Sequence, residues 1–296
     1  RPNGLQTCPS SDRLTYKLSD NSEIEADWRN REMPYADIPG VRLWFTDTAG
    51  MDDDKRTPVV FLHAASGNTD CWVNQEPVFI AAGYRCVAYD RRNWGRSEVT
   101  EAKAEPGSAA DDLEAFADHL GLKRFHLVAT ALGGIVGLDY TVEYPERVIS
   151  LSVSSSFTGV SDASYLEVQT RLRPPEISNL PIVLREVGPS YRVSSPEGVA
   201  KWLEIEEASR HEITPEQGQK ARSPMTFARL EHMKTPVLML TGGADLLSPP
   251  TMMKIVADHI PGSSFGVVPE AGHAAFWEQS EAWNKLVLDF IGEYEG

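Results

Sequence analysis

The sequence predicts an α/β protein with a doubly wound, mostly parallel sheet and an inserted helical lid. Short apolar runs suited to strands covered on both faces alternate with stretches that carry apolar residues at helical spacing. Such alternation is typical of a parallel sheet with helices on both faces. The alternation of strands and helices is interrupted at residues 157–227, and a strongly apolar run suited to a strand follows this segment. We therefore expect one core, formed by residues 41–156 and 228–296, that is interrupted by a lid.

The predicted strands cover residues 41–48, 59–63, 86–89, 125–129, 148–153, 237–241 and 265–268. The predicted core helices cover residues 72–82, 109–120, 134–144, 252–259 and 278–291, and shorter lid helices cover 165–172, 182–187 and 199–208. Residues 1–40 are polar and are interrupted by four prolines, so we expect an irregular N-terminal arm there.

Charge and composition limit the classes of partner. With 28 basic and 43 acidic residues, the formal net charge is −15, which disfavours binding to nucleic acid or to an anionic membrane. No apolar run in the sequence approaches the roughly 18 residues that span a membrane. We expect a cytoplasmic protein, with secretion as the alternative. We expect no metal or other cofactor, because the sequence has neither a phosphate-binding loop nor metal-ligand spacing.

The three cysteines, Cys8, Cys71 and Cys86, lie at wide and unrelated spacings. One disulfide among them stays open as an alternative, but free buried thiols in a reducing compartment are the favoured interpretation. The sequence leaves the oligomeric state open.

An unusual residue stands at the most informative motif of the chain. The buried run of residues 125–129 ends at a turn of small residues, Ala129-Thr130-Ala131-Leu132-Gly133, and a helical pattern follows. This is the layout of a nucleophile elbow, small-x-Ser-x-Gly, in which a sharp strained turn exposes the central side chain. A methyl group at position 131 cannot attack a carbonyl.

Other motifs follow the ends of predicted strands. His63-Ala64-Ala65-Ser66-Gly67 offers small residues that let backbone N–H groups approach a substrate, and residues 90–97 form a further loop. Asp245 and His273 follow the last two predicted strands. An imidazole that acts as a general base needs a carboxylate to fix its tautomer, so we expect these two residues to form a pair.

Together these motifs resemble those of the α/β-hydrolase-fold superfamily, in particular its serine esterases and lactonases. The shared pattern is a His-Gly-type oxyanion loop, an Asp-x-x-Gly-x-Gly-x-Ser loop, the elbow, a late Asp and a Gly-His, between about residues 41 and 291. The resemblance implies that Asp245 orients His273, that the nucleophile stands at position 131, and that the N–H groups of Ala65 and Leu132 form the oxyanion hole. Ala64, Asn93 and Ala129 stand where the family pattern has glycine. Ala131 is a different kind of departure, because it stands where the pattern has the nucleophilic serine.

Two hypotheses account for Ala131. In the first, the chain is an engineered, inactive Ser→Ala variant of a hydrolase that acts on carboxylic esters or lactones, which explains why the other motifs are retained. In the second, alanine is native, and the protein is a non-hydrolytic ligand-binding protein or uses a His273–Asp245 dyad for lyase or isomerase chemistry.

The expected substrate is a small, mostly apolar ester or lactone, because aromatic and aliphatic residues recur in the lid and the adjoining loops. The candidate substrate-binding residues are His63, Ala64, Leu184, Tyr191, Trp202 and Trp277. Four lid arginines could bind a substrate carboxylate, but a solvated surface is the favoured interpretation for them: Arg171, Arg173, Arg185 and Arg192.

Overall fold

The structure is a computed structural model that describes residues 35–49, 55–101, 105–209, 211 and 218–294. The chain divides into a first unit, Arg1–Met33, and a second unit, Pro34–Gly296. The first unit, which includes Cys8 and most of the expected N-terminal arm, lies outside the described residues. All of the elements below belong to the second unit.

A single sheet of nine strands runs through the described residues. The strands are β1 (Tyr35–Ile38), β2 (Val41–Asp47), β3 (Pro58–Leu62), β4 (Arg85–Tyr89), β5 (Glu98–Val99), β6 (Phe125–Thr130), β7 (Val148–Ser154), β8 (Val237–Gly242) and β9 (Ser264–Val268). The strand order in the sheet is β1-β2-β4-β3-β6-β7-β8-β9, and the short β5 pairs with β2. The strands from β4 to β9 along this order are parallel, whereas β1, β2 and β5 pair antiparallel. This confirms the predicted mostly parallel sheet.

Helices lie in the connections between the strands and after the last strand. They are α1 (Glu76–Ala81), α2 (Ala109–His119), α3 (Leu132–Glu143), α4 (Ala163–Leu172), α5 (Ile182–Glu186), α6 (Pro189–Ser194), α7 (Pro196–Ser209), α8 (Phe227–Leu230), α9 (Pro250–Asp258), α10 (Ala275–Glu278) and α11 (Ser280–Gly292). Short 3₁₀ turns precede α1, β7 and α5, at Thr69–Trp72, Pro145–Arg147 and Pro175–Asn179. No described helix combines the length and the apolar character that crossing a membrane requires.

The central strands are buried on both faces, which explains why their sequences read as continuous apolar runs. All six residues of β6 are buried. Phe125, Leu127 and Ala129 pack into one hydrophobic cluster, and Val128 packs into a second. Successive side chains of a strand point to opposite faces. The sheet therefore separates two cores, each of which is covered by helices.

The start of the second unit differs from the sequence prediction. Residues 1–40 were expected to form an irregular arm, but Tyr35–Ile38 form an edge strand that pairs antiparallel with β2. Gly40 makes this hairpin possible, because its φ of +75° is a conformation that glycine adopts without a steric penalty. The prolines on each side, Pro34 and Pro39, concealed the strand from a pattern-based reading.

The helical segment of residues 157–227 interrupts the alternation between β7 and β8, as expected. Helices α4, α5 and α7 lie where lid helices were predicted, and α6 is an additional turn of helix. Residues 210 and 212–217 of this segment lie outside the described residues. The role of the segment as a lid stays a prediction.

Both described cysteines, Cys71 and Cys86, are buried and free. Burial raises the pKa of each thiol well above its ordinary value, and neighbouring carboxylates add to this effect. The preference for free buried thiols is therefore confirmed for these two residues.

Candidate active site

The turn between β6 and α3 holds Ala131 in a conformation that non-glycine residues rarely adopt. Its φ is 49° and its ψ is −113°. The Ala131 N–H donates to the Ser154 carbonyl at 2.9 Å, and the Ala131 carbonyl accepts from the Gly134 N–H at 3.0 Å. The Ser156 hydroxyl also donates to this carbonyl, at 2.6 Å. Such strain persists only where the surroundings over-determine the backbone, and these three bonds provide that constraint.

Two glycines allow the turn to approach the neighbouring strands. A Cβ atom on Gly133 would lie 2.3 Å from the Leu62 carbonyl oxygen, and a Cβ atom on Gly134 would lie 2.7 Å from Ser156 and 2.8 Å from Val153. Neither position can hold a larger side chain without displacement of its neighbours. The two glycines therefore serve close packing as well as the elbow pattern.

Asp245 and His273 lie in contact, as their motifs predict. The Nδ1 atom of His273 lies 3.0 Å from Oδ2 and 3.1 Å from Oδ1 of Asp245. The Asp245 carboxylate also accepts the backbone N–H groups of Leu247 and Ser248, each at 2.8 Å. Both side chains are almost completely buried. With its Nδ1–H bound to a carboxylate, the imidazole can exchange a proton through Nε2.

The charges of this pair shift both pKa values in the directions that favour an ion pair. Burial opposes ionisation of Asp245, but the His273 charge, its hydrogen bond and two backbone donors outweigh burial and lower the pKa of the carboxyl. Burial likewise opposes the charged form of His273, but Asp245, together with Glu186 and Glu278, raises the pKa of the imidazole. An imidazolium at this position is therefore stabilised.

The loop after β7 connects the elbow with His273. Ser156 donates to the Ala131 carbonyl, and the next residue, Phe157, stacks on the His273 ring with 6.0 Å between centroids and 23° between planes. Because Ala131, Phe157, Asp245 and His273 all follow the carboxyl ends of parallel strands, they gather at one edge of the sheet.

The His63 ring is held by hydrogen bonds to the backbone of two loops. The ring is fully buried, its Nδ1–H donates to the Ala64 carbonyl at 2.7 Å, and its Nε2 accepts the Arg91 N–H at 3.0 Å. Burial, and then the charge of Arg91, lowers the pKa of His63, so the ring is neutral. Both ring nitrogens are therefore bound within the protein, and contact of His63 with a substrate stays a prediction.

The same bonds orient the backbone N–H of Ala65. The Ala64 carbonyl accepts from His63, from the Gly67 N–H at 3.3 Å and from the Arg91 guanidinium at 3.3 Å. A trans peptide points its N–H opposite to its carbonyl, so these donors fix the direction of the Ala65 N–H. Leu132 is the first residue of α3, and its N–H therefore has no acceptor within the helix.

Trp94 is a neighbour of this loop that the sequence did not reveal. Its indole N–H donates to the Ala65 carbonyl at 2.8 Å, and the Arg91 guanidinium lies 4.3 Å from the Trp94 ring centroid. The sequence marked residues 90–97 as a loop of the family pattern, but nothing in that local pattern shows which distant loop the indole contacts.

Two buried carboxyl groups connect the 157–227 segment to the site loops, and neither was predicted. Glu186 accepts a hydrogen bond from the Ser66 hydroxyl at 2.6 Å, and its backbone carbonyl accepts from the Ala274 N–H at 3.0 Å. Glu278 accepts from the Gly188 N–H at 2.9 Å and the Gly272 N–H at 3.0 Å. Burial raises the pKa of both side chains, that of Glu278 to about 7.

The predicted substrate-binding side chains are not equally accessible. Trp202 and Trp277 are 3% and 6% exposed and pack in one hydrophobic cluster, where the Trp277 indole N–H donates to the Gly198 carbonyl at 3.1 Å. Ala64 is also buried, Tyr191 is half-buried and Leu184 is exposed. Packing between α7 and α10 accounts for the two tryptophans, and contact of these five residues with a substrate stays a prediction.

The family model of the alpha/beta hydrolases matches residues 59–286. The chain belongs to the alpha/beta hydrolase family. Within this family it is 27% identical over 269 residues to the 2-hydroxy-6-oxononadienedioate/2-hydroxy-6-oxononatrienedioate hydrolase of Paraburkholderia phymatum. The alignment covers 86% of this chain and 92% of that protein.

Solved structures share the fold of this alpha/beta hydrolase. A thermophilic esterase from Thermogutta terrifontis aligns with a TM-score of 0.69 and 24% identity, over 89% of this chain and 98% of that one. The enol-lactonase from Burkholderia xenovorans LB400 aligns with a TM-score of 0.69 and 18% identity, over 88% of this chain and 100% of that one. At these identities the likeness shows the fold alone.

Proposed function

We propose that this chain has the framework of a hydrolase of carboxylic esters or lactones in which Ala131 replaces a serine nucleophile. The observation that carries the proposal is the strained backbone of Ala131, held at φ 49° in the same group of loops as the buried Asp245–His273 pair. The strained turn exposes the side chain at position 131, and a methyl group has no reactive atom to expose. A serine hydroxyl at this position would be presented to a substrate.

With serine at position 131, the reaction follows from the side chains present. The hydroxyl oxygen attacks the carbonyl carbon while Nε2 of His273 takes the proton, and the N–H groups of Ala65 and Leu132 bind the oxyanion. The imidazolium, stabilised by Asp245, then protonates the leaving alcohol as the carbonyl–oxygen bond breaks. A water molecule, deprotonated by His273, releases the acid and restores the hydroxyl.

The chain with alanine binds the same substrate without forming an acyl-enzyme. Removal of a hydroxyl neither fills the site nor disturbs the backbone that forms the oxyanion hole. The substrate in this proposal is a small and mostly apolar ester or lactone. The names of two structural neighbours, an esterase and an enol-lactonase, support the ester or lactone bond, whereas the relative from Paraburkholderia phymatum is named for a keto dicarboxylate.

A second function has one specific observation in its favour. The Asp245–His273 pair is complete and uses Nδ1, so Nε2 can act as a general base without any nucleophile. In this alternative, alanine is native and the protein is a ligand-binding protein or catalyses lyase or isomerase chemistry on a substrate with an acidic C–H.

The Ala131→Ser variant separates the two functions. We expect it to hydrolyse p-nitrophenyl butyrate and simple lactones at least about three orders of magnitude faster than the alanine chain, as triad precedents indicate. The control is the double variant Ala131→Ser/His273→Ala, which should return to the background rate. A serine variant no faster than the alanine chain on a broad ester and lactone panel would refute the hydrolase proposal and favour the alternative.

A further inference from the structure

Arg173 lies beside the site through an aromatic contact that the proposed reaction does not use. It follows α4, and its guanidinium carbon is 4.0 Å from the centroid of the Phe157 ring. Phe157 stacks on His273 with 6.0 Å between centroids. Because these two separations can at most add, the guanidinium lies within about 10 Å of the His273 ring. That distance is within reach of a small substrate.

The positive charge of Arg173 has no anionic partner among the described residues. Two other arginines of the same segment have partners: Arg171 pairs with Glu167 at 3.9 Å, and Arg185 donates to the Ser178 carbonyl at 3.0 Å. Arg192 also lacks an anionic partner among the described residues, but Arg173 is the one that stacks on Phe157 beside His273. Burial lowers the pKa of Arg173 below its ordinary value. The cation is therefore partly removed from water without the compensating charge that buried ions normally require.

The contact with Phe157 explains only part of this arrangement. A cation over an aromatic ring gains about 0.5–1 kcal/mol at an exposed site, yet the five N–H donors of a guanidinium lie in its plane and remain available. Planar paired donors match the geometry of a carboxylate. The sequence-based expectation of a solvated surface therefore fails at Arg173, which is half-buried and stacked.

We propose that Arg173 binds a carboxylate carried by the substrate, a few carbon atoms away from the scissile carbonyl. The preferred substrates are then mono-esters or lactones that retain a free carboxylate, with an apolar connection between the two groups. This inference rests on the proposed function for the scissile bond, but the binding of the carboxylate does not depend on residue 131.

The binding test uses the alanine chain, which does not consume an ester through an acyl-enzyme. The probes are monobenzyl glutarate, which carries a carboxylate, and benzyl methyl glutarate, in which the same carboxyl is masked. Titration calorimetry should show tighter binding of the charged probe. The Arg173→Gln variant should weaken its binding about ten- to hundredfold, the range of a charge-assisted hydrogen bond, and leave binding of the neutral probe unchanged.

Two further variants make the test specific. Arg171→Gln removes an exposed guanidinium from the last turn of α4, two residues before Arg173, and should preserve the preference for the charged probe. Arg173→Lys keeps a cation and most of the packing and should retain part of the preference, and thermal melting should show that all variants fold. Equal affinity for both probes, or equal weakening of both by Arg173→Gln, would overturn the proposal and leave Arg173 as a packing residue of Phe157.

Failure of this inference can be distinguished from failure of the proposed function. If Ala131→Ser hydrolyses neutral esters but the charged probe shows no dependence on Arg173, only the carboxylate site is wrong. If the charged probe depends on Arg173 but the serine variant hydrolyses nothing, the carboxylate site stands and the hydrolase proposal fails.

Discussion

Glu278 should impose a measurable pH dependence on the stability of the fold. Its carboxyl group joins Gly188 of the 157–227 segment to Gly272 of the His273 loop through two backbone N–H donors. Burial, opposed by these donors, raises its pKa from 4.5 to about 7. The unfolded chain releases this proton near pH 4.5, whereas the folded chain keeps it until about pH 7.

The sign of the effect follows from this difference. The contribution of Glu278 to stability is fully present below pH 4.5 and is lost as the pH rises through about 7. At about 1.36 kcal/mol for each pH unit between the two pKa values, the loss is about 3 kcal/mol. Glu278→Gln removes the ionisation and keeps an amide oxygen that can accept from both Gly188 and Gly272.

Urea unfolding, followed by tryptophan fluorescence, provides the assay. We expect Glu278→Gln to exceed the parent chain in unfolding free energy by about 1 kcal/mol at pH 5.5 and about 3 kcal/mol at pH 8.5. Glu281→Gln is the matched control, because it removes an exposed carboxylate from the first turn of α11. A difference that is independent of pH, or a parent chain that is the more stable one at pH 8.5, would refute the reasoning.

Three further predictions test the site and its support. In the Ala131→Ser background, Asp245→Asn should lower kcat by about 10⁴-fold, by analogy with other triads, because the amide favours the wrong tautomer of His273. It should also shift the pH–rate midpoint to lower pH, since Asp245 raises the pKa of His273; an unchanged midpoint would contradict the pairing. Gly133→Ala places a Cβ atom 2.3 Å from the Leu62 carbonyl and should reduce the unfolding free energy by about 1–3 kcal/mol, which thermal melting checks. Trp202→Ala leaves a cavity in place of a side chain that is 3% exposed, and should lower the free energy of unfolding in urea by about 3–5 kcal/mol. A decrease below about 1 kcal/mol would show that this tryptophan is not part of the core.

Most of the sheet could be predicted because its central strands are buried on both faces. The runs that became β3, β4 and β6 to β9 are rich in apolar residues, and the predicted bounds lie within one or two residues of the observed ones. Strand β1 was missed because an edge strand has a solvent-exposed side and tolerates adjacent prolines. Its pairing with β2 depends on a turn at Gly40 that a hydrophobic pattern does not record.

The sequence also indicated which residues would meet at the site, but not what holds them there. Ala131, Asp245 and His273 each follow a strand, so their motifs carry local signals. The contacts of Glu186 with Ser66 and of Glu278 with Gly188 join residues 120 and 90 positions apart, and no local pattern predicts such pairs. Arg173 looked like a surface residue for the same reason, because its stacking on Phe157 arises only from the fold.

Covalent labelling at position 131 tests the central claim most directly. Diethyl p-nitrophenyl phosphate reacts with a hydroxyl that is presented on an elbow and activated by a histidine, with loss of p-nitrophenolate. Intact-mass and peptide analysis of the Ala131→Ser variant should show one diethylphosphoryl group on residue 131, with none on the parent chain and none on Ala131→Ser/His273→Ala. An unlabelled serine at 131, or a label elsewhere in the chain, would contradict the account that this position is the site of an activated nucleophile.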